Sequence, residues 1–320
     1  MKTNKLMAAA TCLIAMLTLG VGSAFASSNA TNEKNQSQIT SEVAKAAATA
    51  NVGMIATRIT AMTSPGGQGN SSGNGPMGIG VWALGSGSYL DNTKSGAKYD
   101  GSLFTGMIGA DKQLGDLLVG VAVGYENLDL TTKYNSGNME YDGWSVVPYV
   151  SYSITKDIVL DASFSYTWLD YTMKDTQVGV KYSDSMDANR MVTSAGVTGY
   201  LDWDKFLFSA RLGTLYLNEH QGSYRLNATD YSKSGIYSWS GTLGLRAQYD
   251  MGAFKPFVGA TYMQDFMKSG SDDVDMWGTD FDLGFNYMPA DGWVIGLTGT
   301  YGVRDDLTKA GGLLNVRYDF

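Results

Sequence analysis

The sequence predicts an all-β protein: a 12-stranded antiparallel transmembrane β-barrel with an N-terminal α-helix in its lumen. Three observations indicate this fold. Twelve runs with period-two alternation of apolar and polar residues follow one another from residue 77 onward. Tight turns and longer polar connections alternate between the runs, as in an even-stranded membrane barrel. The chain ends on Phe320, in a strand whose apolar positions all share one face.

The composition suits a membrane barrel and excludes other classes. The chain has 40 glycines, 20 tyrosines and only 17% charged residues, a mixture typical of strands that face lipid. The formal net charge of -8 argues against a nucleic-acid partner, which would require clustered Lys and Arg. Cys12 is the only cysteine and lies in the predicted presequence, so no disulfide is expected.

Residues 1–26 have the pattern of a secretory signal peptide. Two lysines precede an apolar run, and Ala24 and Ala26 form a small-x-small cleavage site. An uncleaved membrane anchor is the alternative, although the run is short for that role. Beyond residue 26 no apolar run approaches the ~20 residues of a spanning helix. We therefore expect an exported protein that enters the membrane as strands. Residues 27–36 are polar and are predicted to be disordered.

Residues 37–64 are predicted to form a pore helix, with the helical pattern running from 37 to 62. The segment is rich in Ala and is followed by a Gly/Ser linker at 65–76. At ~1.5 Å per residue the helix can cross an apolar band of ~25–30 Å, and its small side chains suit the lumen of twelve strands. There, Arg58 would require a carboxylate, and Glu126 and Asp282 are the candidates. The alternative is a helix that lies loose in the periplasm.

The barrel is predicted to occupy residues 77–320. Alternate residues such as Val119 and Val121 form outward apolar sets. The longest surface loops are predicted at 173–189 and 218–234. Six tryptophans lie near strand ends and are predicted to form interfacial girdles: Trp144, Trp168, Trp203, Trp239, Trp277 and Trp293.

The last strand is predicted to close the cylinder. Val316, Tyr318 and Phe320 alternate with polar residues, so all three side chains would face lipid. A soluble protein rarely ends on such a strand, because an unpaired apolar edge invites aggregation.

Together these features resemble the translocator β-barrel domain of autotransporters, the type V secretion family of Gram-negative outer-membrane proteins. The resemblance covers roughly residues 37–320. Its local matches are Val81-Trp82-Ala83 in the first strand, Gly109-Ala110-Asp111 in the second, and the ending Val316-Arg317-Tyr318-Asp319-Phe320.

The resemblance implies an outer-membrane barrel that accompanies export of an upstream passenger and retains its helix in the pore. It also implies that Val316, Tyr318 and Phe320 are the signal read by the outer-membrane assembly machinery. Because residues 27–36 are too few for a folded passenger, we expect a translocator or pore domain with little or no passenger.

Two other functions remain open. One is a porin-like channel for small solutes, and the other is a structural or adhesive surface protein that acts through its extracellular loops. In every case the expected partners are outer-membrane lipid and lipopolysaccharide, and the barrel is expected to be monomeric.

No enzymatic activity, cofactor or metal is predicted. His220 could pair with Ser223 or Asp230 in the same predicted loop, but neighbours in a flexible loop do not make a preorganised triad. Acidic residues also cluster near position 273 and lack the spacing of a calcium loop, so we interpret them as solvated: Asp272, Asp273 and Asp275.

Overall fold

Strands account for most of the chain. The computed structural model describes residues 32–65, 79–177, 180–226, 229–231, 234–269, 276–290 and 292–319. Ala24, Ala26 and Phe320, the predicted linker from residue 66 to its end at 76 and the acidic cluster near residue 273 lie outside these ranges. A helix, α1, spans Asn32–Thr63. The strands are β1 Ile79–Asn92, β2 Tyr99–Leu114, β3 Leu117–Thr132, β4 Gly137–Thr155, β5 Ile158–Gln177, β6 Val180–Trp203, β7 Phe206–Gln221, β8 Tyr224–Leu226, β9 Thr229–Tyr231, β10 Ser234–Tyr249, β11 Phe254–Lys268, β12 Trp277–Tyr287, β13 Trp293–Arg304 and β14 Leu307–Asp319.

Twelve of these strands form a closed antiparallel barrel, which confirms the predicted fold. Their order around the cylinder is β1-β14-β13-β12-β11-β10-β7-β6-β5-β4-β3-β2. The closing seam pairs β1 with β14 from Gly80↔Asp319 to Asn92↔Leu307. The short strands β8 and β9 form a separate hairpin between β7 and β10.

The two ends of the barrel differ, and we name them by their connections. The turn rim carries the connections at 115–116, 156–157, 204–205, 250–253 and 288–292, together with the start of β1 and the end of β14. Gly115 and Asp204 adopt positive φ values of 63° and 55° in the tight turns there. The loop rim carries the other connections, including the β8–β9 hairpin.

The predicted strict alternation of short and long connections is wrong. Most of 173–189 is not a loop, because β5 and β6 stay paired up to Gln177↔Val180. The loop-rim connection between β13 and β14 has only two residues, Asp305 and Asp306. Beyond the apolar band the outward residues are polar, so the apolar outward set that marks a strand in the sequence is lost while the hydrogen-bonded ladder continues.

The outer surface has the predicted apolar band. Val119, Val121 and Val123 are exposed on β3, while their neighbours Leu118 and Ala122 face inward and are buried. The six tryptophans predicted for the girdles are 42–67% exposed. On β4 and β5, Trp144 lies opposite Trp168, and the next outward pair toward the loop rim is Asp142↔Asp170. The change from tryptophan to aspartate marks the edge of the lipid-facing band.

The helix begins earlier than predicted, so residues 32–36 are helical rather than disordered. The barrel supplies the stabilising contacts: the Tyr134 hydroxyl donates to Gln36 Oε1 at 2.5 Å, and Gln36 Nε2 donates to Met173 Sδ at 3.2 Å. Such tertiary contacts are invisible to a local sequence pattern. Among the described residues, no helix is both long and apolar enough to span a bilayer.

Candidate functional site: the helix-occupied lumen

Helix α1 runs through the lumen from the loop rim to the turn rim. Its N-terminal part bonds to Tyr134, in the β3–β4 connection of the loop rim. At the other end, the Thr63 hydroxyl lies 3.2 Å from the hydroxyl of Tyr200, near the turn-rim end of β6. The predicted location of the helix inside the barrel is confirmed.

The side chains of α1 are suited to contact with the barrel wall rather than with water. Ile39, Val43, Ala47 and Met54 are fully buried against inward-facing side chains of the strands. Alanines let the helix approach the wall closely, while the longer residues fill the gaps between inward side chains. Four polar residues of the helix anchor it to the wall, each at a different depth: Glu42, Lys45, Asn51 and Arg58.

The first polar anchor is Glu42, nearest the loop rim. Its Oε2 accepts hydrogen bonds from Asn92 Nδ2 at 2.7 Å and from the Tyr99 hydroxyl at 3.0 Å. Gln38, one turn earlier on α1, donates to Oε1 at 3.0 Å. These bonds tie the helix to the loop-rim ends of β1 and β2.

The second anchor is Lys45, which forms an ion pair with Asp265 of β11. Asp265 is buried and also accepts from Arg304 of β13 and, at 2.6 Å, from Ser240 Oγ of β10. One carboxylate therefore joins the helix to three strands. Full satisfaction of a buried carboxylate in this way avoids the cost of an unpaired charge.

The third anchor is Asn51, which lies at mid-barrel and is buried. Asn51 Nδ2 donates to Glu126 Oε2 at 3.0 Å. Arg190 bridges two carboxylates, with Nη1 at 2.5 Å from Glu126 Oε1 and Nε at 2.7 Å from Glu219 Oε2. The Tyr171 hydroxyl donates to Glu219 Oε1 at 3.0 Å. This Arg190 cluster links β3, β5, β6 and β7 to the helix.

The fourth anchor is Arg58, close to the turn rim. Its Nε and Nη2 atoms donate to the two carboxylate oxygens of Asp111, both at 2.6 Å. The Tyr149 hydroxyl also donates to Asp111, at 2.6 Å, and accepts from Trp82 Nε1 at 2.8 Å. A bidentate pair of this kind fixes the rotation of the helix as well as its depth.

The predicted partners of Arg58 are therefore corrected. Glu126 lies two helical turns closer to the loop rim, at the level of Asn51, and Asp282 projects from β12 on the other side of the lumen. The partner of Arg58 is Asp111, the last residue of the Gly109-Ala110-Asp111 match. Asp111, Arg190 and Glu219 occupy positions in the alternating pattern that predict inward side chains. The sequence alone does not give their depth in the lumen.

Other predicted sites are placed differently. His220 is exposed on the outer face of β7 rather than in a loop, opposite Asn189 of β6. Val316 and Tyr318 are half-exposed on β14, and the Tyr318 ring packs 4.9 Å from that of Trp293. In the parts of the chain that the structure describes, no group of three or more His, Cys, Asp or Glu residues could hold a metal ion.

A closed barrel with outward apolar residues and a helix bonded through its lumen is a transmembrane pore of the translocator type. The family model "Autotransporter beta-domain" matches residues 81–311, and the chain belongs to this family. It is thus an outer-membrane β-barrel, the translocator domain of an autotransporter. The porin-like and adhesive alternatives are not favoured.

Solved structures share this fold. The translocator domain of autotransporter NalP from Neisseria meningitidis is 14% identical with a TM-score of 0.69, over 87% of this chain and 99% of that one. The β domain of the Bordetella autotransporter BrkA is 18% identical with a TM-score of 0.66, over 76% and 99%. The transport unit of AIDA-I from Escherichia coli is 16% identical with a TM-score of 0.63, over 75% and 90%. No curated protein matches the chain.

Proposed function

We propose that this barrel is an autotransporter translocator in the state that follows export, with α1 as the segment of the exported chain that remains in the pore. The observation that carries the proposal is the set of four polar anchors along α1, from Glu42 to Arg58. A helix that bonds to the barrel wall at four depths is held inside the pore.

The course of the chain supports this proposal. Helix α1 ends at Thr63 and strand β1 begins at Ile79, and both positions lie at the turn rim. An exported segment that enters the pore from that side and passes through to the loop rim would have this course. External loops of outer-membrane barrels are longer than periplasmic turns, so the extended β5–β6 hairpin and the β8–β9 hairpin support a loop rim on the outside of the cell.

We also infer the route of export and the partners of the barrel. The signal peptide at 1–26, cleaved after Ala26, delivers the chain to the periplasm, and the assembly machinery then inserts a monomeric barrel among lipid and lipopolysaccharide. We assign it no catalytic activity and no cofactor. The buried charges at Lys45, Arg58 and Arg190 support this view, because each is used in an ion pair that holds the lumen together.

We expect cysteines at the two rims to label from opposite sides of the outer membrane. Ser95 at the loop rim and Lys156 at the turn rim are both exposed. A membrane-impermeant maleimide added to intact cells should label Ser95→Cys at once and Lys156→Cys only after permeabilisation. The predicted mature chain has no other cysteine, so the signal is specific. Labelling in the reverse order would invert the topology and refute the proposed direction of export.

We expect Phe320→Asp to impair insertion while export to the periplasm continues. A carboxylate on the lipid face of a barrel strand costs less than the ~2–4 kcal/mol of a Lys or Arg at mid-bilayer, and less again near the interface. The main expected effect therefore comes from loss of the terminal aromatic, which is part of the proposed assembly signal. The measurement is the amount of heat-modifiable protein in the outer-membrane fraction. Phe320→Tyr is the matched control and should insert normally. Equal insertion of the Asp variant would remove the role assigned to this residue.

A further inference from the structure

We propose that a cavity between α1 and the barrel wall, at the loop rim, binds a phosphate group that joins the helix to three strands. We call it the rim cavity, and its volume is about 100 Å³. It rests on the proposed function in one respect, since the cavity has its inner side only while α1 lies in the pore. Free phosphate and the phosphate groups of lipopolysaccharide share this chemistry, and the test below separates them.

The first observation is the position of the rim cavity. Its helix side is formed by Ser41, Lys45 and Thr49, which follow one another along one face of α1. Its outermost lining residues are Lys268, the last residue of β11, and Leu307, the first residue of β14. Both strand ends lie at the loop rim. A solute would therefore enter the rim cavity from the side that the proposed topology places outside the cell.

The second observation is the charge of the lining. Among the described residues, four cationic side chains from four different elements line the cavity: Lys45 of α1, Lys268 of β11, Arg304 of β13 and Lys309 of β14. Three acidic side chains also belong to the lining: Glu42, Asp265 and Asp280. Four cations and three carboxylates leave one positive charge in excess, which favours an anionic ligand.

The third observation is that the wall already uses much of the capacity of these carboxylates. The oxygens of Glu42 accept three hydrogen bonds from residues other than the four cations. Asp265 accepts from Ser240 and from two of the cations, and Asp280 accepts from Lys309 at 2.8 Å. An ammonium carries three donor hydrogens and a guanidinium five, whereas a carboxylate has about four acceptor sites. The donors of the lining therefore outnumber the carboxylate acceptor sites that remain.

A phosphate group has the chemistry and the size that this lining selects. A phosphate ester carries roughly −1.5 to −2 charges at pH 7 and three strong acceptor oxygens. Lysine ammonium groups bind phosphate as point charges, and the guanidinium of Arg304 can offer two parallel donors. The volume of about 100 Å³ corresponds to roughly three water molecules at ~30 Å³ each, which one phosphate group would replace. A monatomic anion such as chloride cannot contact donors from several elements in the same way.

A phosphate group in the rim cavity would hold the helix in place. Lys45 belongs to α1, whereas the other three cations belong to the strands. A ligand that contacts both adds a bridge beside the direct ion pair of Lys45 with Asp265. The rim cavity thus makes the stability of the occupied pore depend on phosphate at the loop rim.

The test is thermal unfolding of the purified, helix-containing barrel in detergent, in sodium phosphate and in sodium chloride of equal ionic strength. Phosphate should raise the melting temperature by about 3–5 °C once it exceeds its Kd tenfold. Lys268→Gln should lose this shift, and Lys268→Arg should keep it because the charge remains. Lys133→Gln is the matched control, since Lys133 lies at the same rim in an exposed ion pair and should respond like the wild type.

A second measurement covers the case in which Lys268→Gln fails to fold, which heat-modifiable mobility reports. The phosphorus NMR signal of inorganic phosphate should broaden with the wild-type barrel and stay sharp with Lys309→Gln. Purified lipopolysaccharide is then added to the wild-type sample. Recovery of the sharp signal shows that phosphate groups of lipopolysaccharide enter the same cavity, and a signal that stays broad assigns the site to free phosphate.

Two results would overturn the rim cavity as a phosphate site. One is an equal melting temperature in phosphate and chloride, and the other is a shift that persists undiminished in Lys268→Gln and Lys309→Gln. Failure of the proposed function is a separate result, because a barrel without α1 would then conduct no better than the complete chain, whatever the effect of phosphate.

Discussion

Replacement of Arg190 by methionine is expected to lower the free energy of unfolding of the barrel by about 3–5 kcal/mol. Arg190, Glu126 and Glu219 are all at most 2% exposed, and the guanidinium is bonded to both carboxylates. Removal of the cation leaves two carboxylates buried close together without compensation. Without Arg190 to attract them, the two carboxylates repel each other in a medium of low dielectric.

The measurement is urea unfolding in detergent micelles, followed by tryptophan fluorescence. Lys133→Met is the matched control, because its pair with Asp100 is exposed by 45% and 31%, and such a surface pair contributes at most ~1 kcal/mol. The triple variant Arg190→Met, Glu126→Gln, Glu219→Gln should recover much of the loss, since no buried charge remains. An Arg190 variant as stable as the Lys133 control would contradict the assigned role of the cluster.

Deletion of α1, residues 32–63, is expected to raise single-channel conductance by about tenfold, because it removes a rod ~10–12 Å wide from the lumen. Twelve strands enclose more space than the eight whose lumen side chains fill, so the emptied barrel stays open. The carboxylates of Asp111 and Asp265 lose their helix partners, but water then reaches them. The barrel strands keep their ladders and should still assemble.

A synthetic peptide of residues 32–63 provides the control for this deletion. Added to the truncated barrel, it should restore the low conductance, and a peptide with Arg58→Glu should bind more weakly because it places a carboxylate against Asp111. Equal conductance with and without α1 would show that the helix does not occupy the pore. That result would count against the resident plug while leaving the barrel fold untouched.

The outward face of the barrel was predictable residue by residue, because lipid imposes one rule on every strand. Val119, Val121 and Val123 face lipid and alternate with inward residues. Trp144 and Trp168 lie at the edge of the apolar band, where the lipid contact ends. The rule stops at the membrane edge. The outer parts of β5 and β6 are paired strands with polar outward residues, and their sequence does not distinguish them from a loop.

By itself, the sequence determined the class of the fold, the number of barrel strands and the presence of an Ala-rich helix for the lumen. Those features are periodic, and a local period of 2 or 3.6 can be counted along the chain. Only the tertiary structure decided which charges meet: Arg58 with Asp111, and Arg190 with both Glu126 and Glu219. The physical reason is that alternation assigns a side chain to the lumen, whereas its depth depends on strand register and helix rotation.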